Sequence, residues 1–236
     1  MNTLFSSTAE LQLPSVAFFG RTFDEYTRFF SLDPAALAGR RILDVAAGPS
    51  SFTAEAAARG AEAVAADPLY GCPSESLAAY VELDHRRMLE QMRRNEGLLR
   101  YRYFPSLAAA EASRRAAAGR FLAGYEAGFA QGRYVGARLP QLPFDDGAFD
   151  LVLCAHLLFT YARLFDYAFH LAACLELMRV GRGEARLHPL CGLDGRPYPE
   201  LPRLQEDLRA AGIEARAVPV DYEFFAGTDR MLVLTR

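Results

Sequence analysis

Residues 41–67 combine small residues and an acid at a spacing that could bind a cofactor containing adenosine. The run from Arg41 to Phe52 (RILDVAAGPSSF) predicts a buried strand, a tight loop of small residues and a helix that opens near Ser51. A second strand pattern follows and ends in Asp67. Small residues let the backbone approach a ligand closely, and an acid at the end of the second strand accepts hydrogen bonds from ribose hydroxyls. These residues therefore predict a strand–helix–strand unit that binds an adenosine cofactor.

The loop after the first strand does not match the cradle that binds a dinucleotide. A pyrophosphate site reads G-x-G-x-x-G, in which the glycines permit a sharp turn against a helix N-terminus. Here Gly48 stands among Ala46, Pro49 and Ser50, and the preceding Asp44 would repel a phosphate. A ligand without phosphates needs fewer free amides at this place. The loop therefore favours such a ligand, while an NAD-dependent oxidoreductase on a related sheet stays the less favoured alternative.

Three separated motifs resemble those of class I S-adenosylmethionine-dependent methyltransferases. The first motif of that family carries an acid and then three glycines at alternate positions. The run 43–50 keeps the acid, Asp44, and the middle glycine, Gly48, and has alanine and serine in the outer two places. Residues 142–156 are similar to the stretch that leads into the family's fourth strand. With Asp67, the three motifs occur in the family's order.

The resemblance implies an α/β fold: a Rossmann-like, seven-stranded, mostly parallel sheet with helices on both faces and one antiparallel strand near the C-terminus. It also implies S-adenosylmethionine as the cofactor and S-adenosylhomocysteine as the product, and we expect residues 1–236 to form a single methyltransferase domain. Arg138 stands where the family often has an acid, so adenine recognition at Leu139 would rely on the backbone. The candidate cofactor-binding residues are Asp44, Ala46, Gly48, Pro49, Ser50, Asp67, Pro68, Leu139, Ala155 and Arg21.

His156 is the candidate catalytic residue. Methyl transfer in this family is an in-line displacement from a sulfonium, and holding the reacting atoms in line can supply most of the rate. A general base helps when the acceptor must lose a proton, and a pKa near neutrality suits histidine to this task. His156 ends the fourth predicted strand, where it would act as a base or orient the acceptor. The alternative is a structural histidine whose hydrogen bonds are satisfied within the protein.

Two regions outside these motifs have two interpretations each. Residues 1–35 contain aromatic residues at helical spacing, which predict either a helix packed on the sheet or a lid over the cofactor. In the lid interpretation Arg21 reaches the methionine carboxylate and Tyr26 lines the substrate side. Residues 72–133 predict a helical, arginine-rich insert between the second and third strands. Its charges are either solvated helix faces or part of a cover that recognises an anionic substrate.

The composition excludes several other chemistries. All 26 basic residues are arginine, so there is no lysine for a Schiff base or a P-loop. The net charge of −3 gives no general electrostatic reason to bind nucleic acid. No apolar run approaches the roughly 18 residues of a membrane helix, so no membrane partner is expected. The 4 cysteines lack C-x-x-C spacing, which indicates reduced thiols, a cytoplasmic location and no structural zinc.

The motifs exclude some classes of methyl acceptor. The fourth-strand motif lacks the Asn/Asp-Pro-Pro-Tyr/Phe sequence with which many methyltransferases hold an exocyclic amino group, so DNA adenine is not an expected substrate. No His/Asp/Glu cluster suggests the divalent metal of catechol-type enzymes. We therefore expect methyl transfer to a small molecule at O, N or C. A protein that binds S-adenosylmethionine or S-adenosylhomocysteine without catalysing transfer is the alternative.

Overall fold

The computed structural model describes residues 10–236, which form a seven-stranded sheet with helices on both faces. The order across the sheet is β3-β2-β1-β4-β5-β7-β6. The strands are β1 (Arg41–Val45), β2 (Glu62–Asp67), β3 (Tyr134–Gly136), β4 (Phe149–Ala155), β5 (Gly181–His188), β6 (Glu214–Pro219) and β7 (Arg230–Thr235). Strands β1 to β5 pair in parallel, and β7 lies antiparallel between β5 and β6. This confirms the predicted fold class.

Helices cover the sheet because its central strands alternate apolar side chains between two faces. The helices are α1 (Phe23–Phe29), α2 (Phe52–Ala58), α3 (Ser74–Arg94), α4 (Leu107–Ala130), α5 (Tyr167–Val180) and α6 (Leu201–Ala210). Ile42 and Leu151 face α1 and α2, whereas Leu43 and Val152 face α5 and α6. Because side chains alternate along β1, the side chain of Asp44 lies on the same face as that of Ile42, which is the face covered by α1 and α2.

The insert between β2 and β3 consists of two helices, α3 and α4, as predicted. The three glycines within α4 do not interrupt it. Tyr125 and Phe121 of α4 pack with Leu77 of α3 and Tyr134 of β3, so the insert rests on one edge of the sheet. The insert thereby stands beside the carboxyl ends of the parallel strands.

Local contacts set two of the element boundaries. Helix α5 begins at Tyr167, because Asp166 caps it by accepting a hydrogen bond from the Phe169 N–H. Strand β5 begins at Gly181, since α5 continues directly into it. Residues 1–9 of the predicted 1–35 lid lie outside the described residues. No helix within residues 10–236 has the length and hydropathy needed to cross a membrane.

Candidate functional site

A cavity of about 700 Å³ opens at the carboxyl ends of the parallel strands. Residues that directly follow β1, β2, β3 and β4 form one wall, where open α/β sheets bind their ligands. The sequence-predicted residues on this wall are Ala46, Gly48, Asp67, Pro68, Leu139, Ala155 and His156, and Arg21 also lines the cavity. The topology thus brings together eight of the predicted residues, from segments spread along the chain.

The loop after β1 is held in a strained conformation. Ala46 has φ 56° and Gly48 has φ 55°, both in the left-handed region, which costs a non-glycine residue about 1–2 kcal/mol. Gly20 packs against the loop so closely that a Cβ at this position would stand 2.1 Å from the carbonyl oxygen of Pro49. The Ser50 hydroxyl donates to the Arg21 carbonyl at 3.0 Å. The loop is therefore clamped between β1 and the segment before α1.

Asp67 joins this loop to the end of β2. Its carboxylate accepts the N–H of Gly48 and the N–H of Leu69, each at 3.0 Å. The side chain is 7% exposed, and burial raises its pKa to about 6 against the two backbone hydrogen bonds that lower it. A carboxylate with two accepted bonds has lone pairs left for further donors. Asp67 can therefore accept hydrogen bonds from a ligand in the cavity.

Asp44, Pro49 and Ser50 do not line the cavity and stand behind its wall. The alternation along β1 sends the Asp44 side chain to the face covered by α1 and α2, where it accepts the Tyr26 hydroxyl at 3.1 Å. Burial raises the pKa of Asp44 well above its ordinary range. Tyr26 itself is in the core, stacked on Phe52 at 4.4 Å, and does not line the substrate side. Helix α1 packs on the sheet, as one of the two interpretations predicted.

His156 follows β4 directly and faces the cavity with an unusual backbone. Its φ is 52°, and its N–H donates to the His188 carbonyl at 2.6 Å. Within residues 10–236 its Nδ1 is buried without a hydrogen-bond partner. Burial, and then the charges of Arg21, His188 and Arg114, lower the pKa of His156 well below its ordinary value. The imidazole is therefore neutral at pH 7 and can accept or donate a hydrogen bond, but it is a weak base.

The opposite wall includes an extended segment, residues 10–18, which we call the strap. Leu11, Val16, Ala17 and Phe18 of the strap line the cavity. The backbone N–H groups of the strap donate hydrogen bonds to side chains that are distant in the sequence. The N–H of Glu10 donates to Asn95, that of Gln12 to Gln91, that of Ala17 to the Tyr161 hydroxyl and that of Phe18 to Asp84. The strap lies within the region 1–35 that the sequence predicted as a lid, and it covers the cavity as an extended segment, whereas the predicted lid was helical. An extended segment has no periodic signal that could have identified it.

Sequence reasoning also missed a buried ionic cluster beside the strap, formed by Arg21, Glu25, Arg114 and Tyr222. Glu25 accepts hydrogen bonds from Arg114 Nη2 at 3.2 Å and from the Tyr222 hydroxyl at 2.9 Å. It also closes a capping box with Thr22 at the start of α1. The Thr-x-x-Glu spacing was visible in the sequence and could have marked the start of this helix. Nothing in the sequence pairs Glu25 with an arginine 89 residues away.

The described residues contain no group of three or more His, Cys, Asp or Glu side chains that could hold a metal ion. The cluster around Glu25 has one carboxylate and two guanidinium groups, which is an anion-binding composition rather than a metal-binding one. The cavity is lined by an acid, Asp67, at the strand ends and by the guanidinium-bearing residues Arg21 and Arg114.

Comparisons with known proteins give one full-length relative and a set of distant structures. No family model matches the chain. An uncharacterized protein of Methanocaldococcus jannaschii is 28% identical over 230 residues, which cover 96% of this chain and 99% of that protein. Its description assigns it no activity.

The solved structures that resemble the chain include magnesium protoporphyrin IX methyltransferase from Synechocystis PCC 6803 with bound S-adenosylmethionine, at TM-score 0.47 and 16% identity over 85% of this chain and 72% of that one. A TehB-like S-adenosylmethionine-dependent methyltransferase from Corynebacterium glutamicum has TM-score 0.46 and 17% identity over 85% and 82% of the two chains. The 1,6-didemethyltoxoflavin-N1-methyltransferase of Burkholderia thailandensis has TM-score 0.43 and 17% identity over 86% and 75%. The ligands and activities in these names are those of the named proteins. The observed strand order, with β7 antiparallel between β5 and β6, gives this chain the Rossmann-like fold of class I methyltransferases.

Proposed function

We propose that this protein binds S-adenosylmethionine at the strand-end wall and transfers its methyl group to a small-molecule acceptor. The observation that carries the proposal is Asp67, which ends β2 on the cavity wall and is tied by a 3.0 Å hydrogen bond to the Gly48 N–H of the strained β1 loop. An acid at this place accepts ribose hydroxyls in adenosine sites. The cavity of about 700 Å³ lies within the usual range of ligand pockets.

The residues on the wall fit the parts of this cofactor. Asp67 has acceptor capacity for the ribose, and Pro68 and Leu139 offer apolar surface for the adenine. Ala46 and Gly48 present backbone rather than bulky side chains toward the ligand, and Arg21 offers a guanidinium to the methionine carboxylate. When bound, the cofactor would supply a methyl group already activated on a sulfonium. Asp44, Pro49 and Ser50 would support the β1 loop from behind.

His156 would orient the acceptor by a hydrogen bond. Its position after β4 and its neutral imidazole suit it to holding a hydroxyl or amine. The lowered pKa makes it a poor proton acceptor, so proton loss would go to solvent or would not be required. Catalysis would then rest on proximity and orientation, which can contribute roughly 7–11 kcal/mol.

Calorimetric titration with S-adenosylhomocysteine, with NAD as the control ligand, tests the proposal. We expect micromolar binding of S-adenosylhomocysteine and none of NAD. Binding of NAD alone would support the oxidoreductase alternative, and no binding of either would remove the enzyme proposal. Binding of S-adenosylhomocysteine by a protein that methylates none of a broad set of small molecules would favour the non-catalytic alternative.

A further inference from the structure

Two buried arginines share one carboxylate at the cavity. Arg21 and Arg114 both line it, and both are almost fully buried. Glu25, which is completely buried, lies 3.2 Å from Arg114 Nη2 and 3.8 Å from Arg21 Nε. The Tyr222 hydroxyl completes the cluster and carries no charge at neutral pH, because burial raises its pKa above its ordinary value. The cluster therefore has one positive charge in excess.

Each guanidinium has at least one nitrogen that makes no hydrogen bond to the described residues. Arg21 Nη1 donates to the carbonyls of Phe19 and Gly20, and Arg114 Nε and Nη2 donate to Glu25. Within the part of the chain that the structure describes, Arg21 Nη2 and Arg114 Nη1 make no hydrogen bond, and neither is among the fully enclosed atoms. Both residues line the cavity, and Arg21 Nε, which also lacks a hydrogen-bond partner, is enclosed 3.8 Å from Glu25.

The positive excess is not cancelled by the other charges around the cavity. Asp84 lies 3.6 Å from Arg87 and accepts the Phe18 N–H, and Asp67 lies on the opposite, strand-end wall. The field of the cluster is felt by its neighbours: after burial, Arg21 and Arg114 both lower the pKa of His156. A buried charge without a partner is costly, which favours a ligand that supplies the missing negative charge.

The proposed cofactor would increase this need. Its carboxylate and ammonium groups offset each other, so its sulfonium adds one positive charge to the cavity. An excess on the protein and a cationic cofactor together favour an anionic acceptor. This step rests on the proposed function.

The surroundings of Arg114 are apolar. Its guanidinium stands 4.7 Å over the ring of Phe224 and 5.5 Å from that of Phe19. The adjoining wall is formed mainly by Leu11, Met88, Met92, Leu193, Phe224 and Phe225. Apolar walls with a few placed polar groups are what binds an apolar molecule in one orientation.

We propose that the methyl acceptor is an apolar small molecule with one carboxylate, which the free nitrogen of Arg114 binds, while Arg21 is left to the carboxylate of the cofactor. A hydrogen bond from a guanidinium nitrogen to a carboxylate is roughly twice as strong as one between neutral groups, so a carboxylate suits this nitrogen better than an uncharged acceptor does. The arginine-rich insert then has a specific role, because Arg114 is the residue of α4 that reaches the cavity.

A matched pair of probes tests this inference: 1-naphthoate and its uncharged amide, 1-naphthamide, titrated into the full chain saturated with S-adenosylhomocysteine. We expect naphthoate to bind about tenfold more tightly than the amide. Equal binding of the two, or no binding of naphthoate, would overturn the inference while leaving the proposed function intact. Failure of S-adenosylhomocysteine itself to bind would instead remove the proposed function.

The variant Arg114→Lys keeps a positive charge against Glu25, so it should fold, but it lacks the free nitrogen of the guanidinium. We expect it to lose most of the preference for naphthoate and to keep its affinity for S-adenosylhomocysteine. Arg115→Lys, at the adjacent, exposed position, is the control and should behave as the parent protein. If Arg114→Lys instead weakened S-adenosylhomocysteine and kept the preference for naphthoate, the anion bound there would be the cofactor's own carboxylate, and the inference would be wrong.

Discussion

The two walls of the cavity are built by different means. The strand-end wall is positioned by backbone hydrogen bonds of the parallel sheet, in which β1 pairs with both β2 and β4. The opposite wall is assembled by side chains that hold distant segments: Asp84 holds Phe18, Tyr161 holds Ala17, and Arg114 holds Glu25. Substitutions on the strand-end wall should therefore cost less stability than substitution of the buried charged side chains that hold the opposite wall.

The largest expected effect is on the side-chain wall, from Arg114→Ala. Removal of this guanidinium leaves Glu25 buried without its main charge partner, and breaking a buried pair in this way costs about 3–5 kcal/mol. Urea denaturation should show this loss in the free energy of unfolding. A loss of unfolding free energy as small as that for a surface ion pair would contradict the difference between the two walls.

Arg115→Ala is the matched control for that variant. The two arginines are neighbours in α4, but the side chain of Arg114 is 3% exposed and that of Arg115 is 40% exposed. Arg115 pairs with Glu82 and Glu111 at the surface, where such pairs contribute about 0–1 kcal/mol. Two arginines at adjacent positions should thus differ several-fold in their effect on stability.

On the strand-end wall the corresponding experiment is Asp67→Ala, and its main readout is affinity rather than stability. Loss of the ribose contact should weaken S-adenosylhomocysteine by about 1.5–3 kcal/mol, as for hydrogen bonds to a charged group. Calorimetric titration measures it, with Asp84→Asn on the opposite wall as the control that should leave this affinity almost unchanged. Unchanged affinity in Asp67→Ala would contradict the assignment of Asp67 to the ribose.

The difference between the walls explains what the sequence could predict. Short buried strands and small-residue loops leave a local pattern, so β1, β2 and β4 and the residues after them were predicted close to where they lie. The fold follows from their order, because parallel strands bring their carboxyl ends to one edge. The resemblance to a known family added the remaining strands and the antiparallel position of β7.

What the sequence could not predict depends on contacts between distant residues. The partner of Glu25 is 89 residues away, and the hydroxyl that holds Ala17 is 144 residues away. Neither pairing leaves a local pattern. Asp44 was predicted to bind the cofactor by its place in a motif, and the alternation along β1 sends its side chain to the covered face, where it accepts a hydrogen bond from Tyr26. Motif position and side-chain direction are separate properties, and only the structure supplies the second.

The pKa of Asp67 gives a prediction that distinguishes binding from folding. Burial raises this pKa from 3.8 to about 6 in the folded protein, so the carboxylate is ionised above that pH and protonated below it. Protonation removes acceptor capacity, and affinity for S-adenosylhomocysteine should fall about tenfold between about pH 7 and pH 5. The free energy of unfolding changes in the opposite direction. As the pH falls through about 6, the contribution of Asp67 to it rises, because the raised pKa makes the folded state bind the proton more tightly than the unfolded chain does.

Calorimetry across this pH range, with Asp67→Asn as the control, checks the assignment. The asparagine variant should bind more weakly and should lose the part of the pH dependence centred near 6. A pH dependence that persists in Asp67→Asn would assign the titration to another group.

The smallest expected effect is on the strap, where Tyr161→Phe removes one acceptor. The Tyr161 hydroxyl accepts the Ala17 N–H at 3.0 Å, so its loss leaves that amide without its protein partner at a cost of about 1 kcal/mol. Hydrogen exchange of Ala17 should then accelerate about fivefold, with little change in the amides of β1 and β4. Tyr167→Phe, whose hydroxyl donates to Asp207 away from the strap, is the control. If hydrogen exchange accelerated equally over the sheet, the strap and the strands would open together. The opposite wall would then open no more independently of the sheet than the strand-end wall does.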